Sequence, residues 1–526
     1  MQKTLIDFKN ISSFPKLTRD YYSGIDELNS LYKYAPSIES FRQAIADRSA
    51  LPINRKLLTE VLLKQNKNAS KDAIRNIELL IDDKTFTVVT GHQLKIFTGP
   101  LYFIFKIITV INLAKELKKA YPENNFVPVY WMASEDHDIE EINNFNLFGK
   151  TMVWDTDQKG AAGKLDTKSI VIILDQLDEL LGESDNAKYL RDLFNNAYEE
   201  SQNLAEATRY LVNELFGKYG LVIVDADDAQ LKYEFKDCMI DDLISHSNYT
   251  IVNKTISNIQ DDYKIQVNPR EINLFYMKDG MRERIVNPSE DKFEILNTDL
   301  SFTKAEILNE LEIHPERFSP NVMLRPLYQQ RILPNLAYIG GPSEIAYWLE
   351  YKAMFDYNKI NYPIIMMRCS ALWIDDNNLT KLSKLNIEPA SLFSNTELMI
   401  KEYIQNNSNS NFDFTKEKDS ITEMYNNISK NAALIDKTLV SSIEAELQKH
   451  LNSLSSIEEK LIRAQKKKME TTINQIRGIK SKLFPNDGLQ ERYDNFIPYY
   501  LKYGQEFFDI LFENLQPFDG KLAIIS

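Results

Sequence analysis

Four consecutive residues, Glu135, Asp136, His137 and Asp138, set an imidazole among three carboxylates directly after the apolar run 127–133. An imidazole changes charge near neutrality and serves as a general acid or base. A carboxylate on either side would orient His137 and raise its pKa. Carboxylates with imidazole also suit Mg, Mn or Zn. Adjacent residues of a strand point to opposite faces, however, so the four do not converge on one ion without an irregular turn. No metal ligand is therefore assigned, and a solvated loop without chemistry is the plain alternative. Two further clusters pair an apolar run with a glycine turn. Residues 86–90 end in Gly91-His92-Gln93, and Thr98-Gly99-Pro100 then opens a helical run. Tyr338-Ile339-Gly340-Gly341-Pro342-Ser343-Glu344 repeats the arrangement. Glycine lets a ligand approach the backbone, proline suits the first helical position, and the free N–H groups there favour phosphate or carboxylate. A simple strand-to-helix turn accounts for the same pattern. Arg325, upstream of the third cluster, suits carboxylate or phosphate recognition, whereas Arg331 is expected in a structural ion pair.

These residues need strand ends to bring them together. Strand-like runs at 86–90, 127–133, 221–225, 337–339 and 363–367 alternate with helical runs such as 100–119. Buried apolar strands separated by helices imply a parallel, doubly wound sheet whose strand ends and helix starts share one edge. Residues 151–185, with Ile170 to Leu174, read as an insertion with some strand. Residues 265–290 read as a β segment closed by the turn signal Asp279-Gly280. From about 415 to 483, apolar residues recur every three or four positions, among them Ile443, Leu447, Leu451, Leu454 and Ile473. This predicts a coiled coil, as a hairpin or as a seam between chains. The basic run Arg463 to Lys468 reads as a solvated helix face.

The composition narrows the function classes. A chain of 526 residues exceeds one compact core. A net charge of −14 argues against non-specific nucleic-acid binding. Two cysteines, Cys238 and Cys369, exclude a disulfide framework and point to a reducing cytoplasm. Neither a signal-peptide core nor a bilayer-length apolar stretch is evident. G-x-G-x-x-G, Walker A and G-x-S-x-G patterns are missing as well.

Taken together, several segments resemble one family. They are Thr90-Gly91-His92-Gln93, Phe97 to Tyr102, Pro128 to Asp138, Glu141-Ile142-Asn143, Asn321 to Pro326, Leu333-Pro334, Tyr338 to Tyr347, Leu483-Phe484-Pro485 and Leu489 to Arg492. The family is the cysteine ligase of bacillithiol biosynthesis, BshC. The resemblance implies a Rossmann-like parallel-sheet core related to class I aminoacyl-tRNA synthetases, with insertions and a C-terminal α-helical coiled coil pairing two chains. The expected partition is a helical segment 1–85, a core 86–390 with insertions near 151–215 and 245–320, a coiled coil 391–485, and a segment 486–526 returning to the core. The implied reaction joins cysteine to glucosaminyl-malate through an amide bond. ATP is the expected cosubstrate, because an amine does not condense with a carboxylate unaided. A cytoplasmic homodimer with no tightly bound cofactor, nucleic acid or membrane partner is expected.

In this reading His137, oriented by Asp136 or Asp138 and neighboured by Glu135, manages the proton of the attacking nitrogen. Gln93, Arg325, Tyr338 and Glu344 bind substrate. Gly91, His92, Thr98, Gly99, Gly340 and Gly341 cradle anionic groups of the nucleotide. By analogy, Gly91-His92-Gln93 stands where synthetases carry their first nucleotide motif. Glutamine is common in the family at His92, which makes that residue a replaceable one. A non-catalytic, nucleotide-binding dimeric scaffold is the rival reading.

Overall fold

A computed structural model describes residues 3–407 and 414–526. The chain divides into two units: Met1–Leu372 with Gln490–Ile525, and Trp373–Leu489. The first contains strands β1 (Thr85–His92), β2 (Asn125–Met132), β3 (Val222–Asp225), β4 (Asn335–Gly340) and β5 (Ile364–Met367). Among them run helices α1 (Tyr102–Ala120), α2 (Arg325–Ile332) and α3 (Pro342–Leu349). The strands pair in the order β5-β4-β1-β2-β3, every pair parallel. The expected doubly wound sheet is thus present. From β1 the chain steps outward to β2 and β3, then returns to the other side of β1 for β4 and β5. That reversal opens a crevice at the carboxyl ends of β1 and β4.

The core explains the apolar runs. Val88, Val89, Val127, Val129, Ala337 and Ile339 are fully enclosed, as strands covered on both faces must be. Helix α1 buries 13 of its 19 residues, so it too is covered on more than one side. The C-terminal segment supplies one cover, where Asn112 Nδ2 donates to the Phe512 and Leu515 carbonyls.

Two regions depart from expectation. Ile170 to Leu174 lies at the start of a helix, Val171–Leu181, rather than in a strand. Ile170, Ile173, Leu174, Leu177 and Leu181 are buried while Val171 and Ile172 are exposed. The helical period shows only when the run is followed to Leu181. The N-terminal segment, read as helical, begins with strand Lys3–Asp7, which pairs antiparallel with Lys521–Ile525. A five-residue edge strand lacks a clear signal of its own when its partner is some 500 residues away.

A five-stranded antiparallel sheet sits in the later insertion, and its hairpin Leu274–Lys278/Met281–Ser289 turns at Asp279-Gly280. Gly280 has φ +70°, which its lack of a Cβ permits.

In the second unit, helices Thr415–Ile435 and Leu439–Lys468 form an antiparallel hairpin. Lys418 meets Glu458 at 2.8 Å, and Tyr425 packs on His450. Helix Glu470–Leu483 buries Ile473, Ile476, Ile479 and Leu483. Its Lys480 is buried as well, donating to the Leu392 and Ser394 carbonyls. No described helix is long and apolar enough to cross a membrane.

Glu491 fastens the C-terminal segment to the core. Fully buried, it accepts from Arg368 at 2.7 Å, Ser370 Oγ at 2.6 Å and the Ala371 N–H at 3.1 Å. Removing one partner of a buried pair strands the other charge. Glu491→Ala should therefore destabilise the core by about 3–5 kcal/mol, read as a lowered urea midpoint of its unfolding transition.

Candidate functional site

A cavity of about 760 Å³ opens at the carboxyl ends of β1 and β4, a size that suits a small-molecule ligand. Gly91, His92 and Gln93 come from the end of β1, and Gly341 and Glu344 from the start of α3. The insertion hairpin and α2 supply the facing wall. The dominant feature is charge. Six arginines (Arg270, Arg282, Arg284, Arg325, Arg368, Arg492) and Lys106 line the cavity, against Asp136, Glu141 and Glu344. An acidic chain has gathered a cationic pocket.

Three of these cations are committed within the protein. Lys106 Nζ, on α1, donates to the Gly91 carbonyl at 2.7 Å and Glu344 Oε1 at 2.6 Å. Arg368 is held by Glu491. Arg282 donates from Nε to Ser319 Oγ at 3.0 Å, and its Nη1 lies 2.6 Å from His137 Nδ1. Its guanidinium stacks on Phe275 at 3.9 Å. Among the described residues, Arg270, Arg284, Arg325 and Arg492 have no side-chain hydrogen bond or ion pair. These four guanidinium groups are open to an anionic ligand.

The predicted residues separate into three groups. Gly91, His92, Gln93, Asp136, Arg325, Tyr338, Gly341 and Glu344 line the cavity. Gln93 Nε2 donates to Asp136 Oδ2 at 2.9 Å and Glu141 Oε2 at 2.6 Å. Burial opposes ionisation of Asp136, but Arg325, Gln93 and Arg282 outweigh it and hold the carboxyl below its usual range. Glu344 is also kept ionised against burial, by Lys106, Tyr338 and the Gly341 N–H. Its oxygens accept from Lys106 and Gly341 N–H on one side and Tyr338 Oη on the other. Tyr338 stacks on Trp348 with ring centroids 4.3 Å apart. Both groups shape the wall.

The second group lies beside the cavity. Glu135 turns inward to a buried ion pair with Lys232, which also meets Asp227 at 3.0 Å. Burial disfavours the Lys232 ammonium, but these two carboxylates outweigh it and raise its pKa. Asp138 caps the short helix Ile139–Ile142. His137 differs from its expectation: burial and Arg282 lower its pKa, outweighing the carboxylates that were to raise it. An arginine has no acceptor, so Nδ1 must accept and the ring proton sits on Nε2.

Thr98 and Gly99 form the third group, placed away from the cavity. Asn495 Nδ2 donates to the Phe97 and Gly99 carbonyls, and the Leu101 N–H donates to the Asp494 carbonyl. The C-terminal segment thus occupies the turn that was to bind an anion. Gly340 ends β4 just behind the lining residue Gly341. Arg331 donates to the Glu234 carbonyl and meets Asp237 at 4.0 Å, the expected ion pair at its longest reach. His92 is stacked on Phe103 and held neutral, by burial first and then by Lys106, Lys95 and Arg368. Among the described residues, no group of three or more His, Cys, Asp or Glu side chains is arranged to hold a metal.

Sequence reasoning missed Lys106, Arg270, Arg282, Arg284, Arg368 and Arg492. Arg282 and Arg284 share one strand face, and Arg368 directly follows β5; these two signals were available.

The comparisons cover the whole chain. The N-terminal Rossmann-like domain of bacillithiol biosynthesis BshC matches residues 1–369, and its C-terminal coiled-coil domain matches 371–526. Curated relatives that carry the name "Putative cysteine ligase BshC" include one from Flavobacterium psychrophilum, 44% identical, and one from Flavobacterium johnsoniae, 43% identical, each over 100% of both chains. One from Bacillus cereus is 28% identical over 96% of this chain and 97% of its own.

The neutral imidazole of His137 is directly measurable. In Arg282→Ala, histidine NMR titration should show its pKa rising from the lowered value of the parent protein.

Proposed function

Since the chain belongs to the BshC family of bacillithiol biosynthesis, we propose that its cavity joins cysteine to glucosaminyl-malate. The reaction forms a bond between the cysteine carboxyl carbon and the glucosamine nitrogen. The displaced carboxyl oxygen leaves with an activating group that ATP supplies. The observation that carries this reading is the set of four arginines around one cavity that have no side-chain hydrogen bond or ion pair among the described residues. The malate portion brings carboxylates, the amino acid another, and the nucleotide phosphates, so every reactant is anionic in part. Arg325, on the first turn of α2, pairs with a malate carboxylate. Asp136 and Glu141, the ionisable carboxylates on the opposite sign, receive a substrate ammonium or amine.

His137 acts here through Arg282. Its Nδ1 holds the guanidinium against Ser319 and Phe275, which leaves that nitrogen unable to take a substrate proton. The coiled-coil hairpin pairs two chains in this reading. Met424 and Ile428 are exposed along it, and Leu434 and Ile435 stand at its tip with 87% and 85% of their surface open.

Four outcomes follow. Purified protein given cysteine, glucosaminyl-malate and ATP should yield bacillithiol and a nucleotide product; nucleotide binding without turnover would favour a scaffold instead. Arg325→Ala should raise KM for glucosaminyl-malate roughly 10–100-fold, the scale of one charge-assisted hydrogen bond. His137→Gln, which can still accept from Arg282, should retain most activity, while His137→Ala should lose it; equal loss in both would return His137 to proton transfer. By light scattering the intact chain should be a dimer, and Ile428→Glu should shift it toward monomer.

A further inference from the structure

Gln266 to Asn273 crosses the insertion without regular secondary structure. This strap carries Asn268, Arg270 and Ile272 to the cavity wall, and Pro269 stiffens its middle. An irregular segment must still satisfy its backbone N–H groups where it meets the core. Two buried carboxylates do this, one at each end.

At the first end, the Gln266 N–H donates to Glu350 Oε1 at 3.0 Å, and the Val267 N–H also faces this carboxylate. At the second, the Asn273 N–H donates to Asp242 Oδ2 at 2.5 Å, and Asn273 Nδ2 donates to Asp242 Oδ1 at 3.2 Å. Asn273 closes the strap on itself. Its Oδ1 accepts the Arg270 N–H, and its Nδ2 donates to the Arg270 carbonyl at 2.6 Å. Its Oδ1 also accepts from Asn321 Nδ2 at 3.1 Å, and Asn321 lines the cavity.

Glu350 and Asp242 have no solvent exposure. The groups they accept from are neutral N–H donors. A carboxylate buried against neutral donors is costly to keep. Burial accordingly pushes both carboxyls up to about 7. Neither touches the cavity. Their placement makes sense through what they hold: Glu350 follows α3, whose opposite end supplies Glu344, and Asp242 lies on helix Lys236–Ile244. The two carboxylates thus hold the strap on either side of the exposed Arg270, and Asn273 passes the second hold to the Arg270 backbone.

We propose that Glu350 and Asp242 are positioning residues, a two-point clamp on the Gln266–Asn273 strap that fixes Arg270 over the cavity for the anionic substrate. The proposal rests on the assignment of the cavity to glucosaminyl-malate. It predicts that loss of the clamp acts through Arg270 and through no other contact of the substrate.

The test is a double-mutant cycle in the full chain, read as the dissociation constant for glucosaminyl-malate by calorimetry. Glu350→Gln should weaken binding about 5–20-fold and Arg270→Ala by a similar factor. The double variant should be no weaker than Arg270→Ala alone. Hydrogen exchange should quicken at the Gln266, Val267 and Asn273 amides in Glu350→Gln while the central strands stay protected. If Glu350→Gln does not fold, Asp242→Asn takes its place in the same cycle. Additive losses, or unchanged binding with unchanged exchange, would overturn the clamp. Failure of the parent protein to form product would sink the ligase reading separately, because the cycle and the exchange measurement do not require turnover.

Discussion

The ammonium of Lys106 holds the mouth of the sheet together. It joins α1 to the end of β1 through the Gly91 carbonyl and to the start of α3 through Glu344. Glu344 then binds Tyr338 on β4 and the Gly341 N–H. One largely enclosed pair therefore fixes the two strand ends between which the chain reverses direction. Its attraction is strengthened because Lys106 is buried and Glu344 is only 24% exposed, and its desolvation is offset by the additional hydrogen bonds on both partners. Without it the walls of the crevice would have no common anchor.

Around that anchor the protein manages a difficult accumulation of like charge. Guanidinium groups near one cavity repel each other and disfavour burial. The fold answers by tying down those nearest the core and leaving open those nearest solvent. Arg368 is paired with Glu491, and Arg282 rests on His137, Ser319 and Phe275. Arg270 and Arg492 are exposed, and Arg284 and Arg325 are half-buried. The uncompensated charge gives the cavity a cationic field that would favour anions, while the net charge of the chain remains −14.

Much of this was legible beforehand, for reasons that differ by residue. The strands of the central sheet are continuous apolar runs, and such runs mark strands covered on both faces. Gln93, Asp136, Tyr338 and Glu344, read from their places at or near strand ends and glycine turns, line the cavity, as does Arg325, read from its place upstream of the third cluster. His137 was found for its type, but its partner Arg282 lies 145 residues away, so the direction of its pKa shift could not be read from adjacent carboxylates. The Thr98-Gly99 turn looked open because Asn495, which fills it, is almost 400 residues distant.

By itself the sequence determined the doubly wound sheet, the coiled coil and the family, since these depend on period, on residue type and on motifs that are local along the chain. Only the tertiary structure decided which charges remain free. A lysine or arginine is a ligand group or a structural tie according to what lies within about 3 Å of it, and those neighbours come from distant segments. Lys106 seemed a mere interruption of an apolar helix and became the anchor of the site. Glu135 seemed catalytic and became the buried partner of Lys232. In both cases folding, by bringing an opposite charge into contact, decided the partner of the side chain.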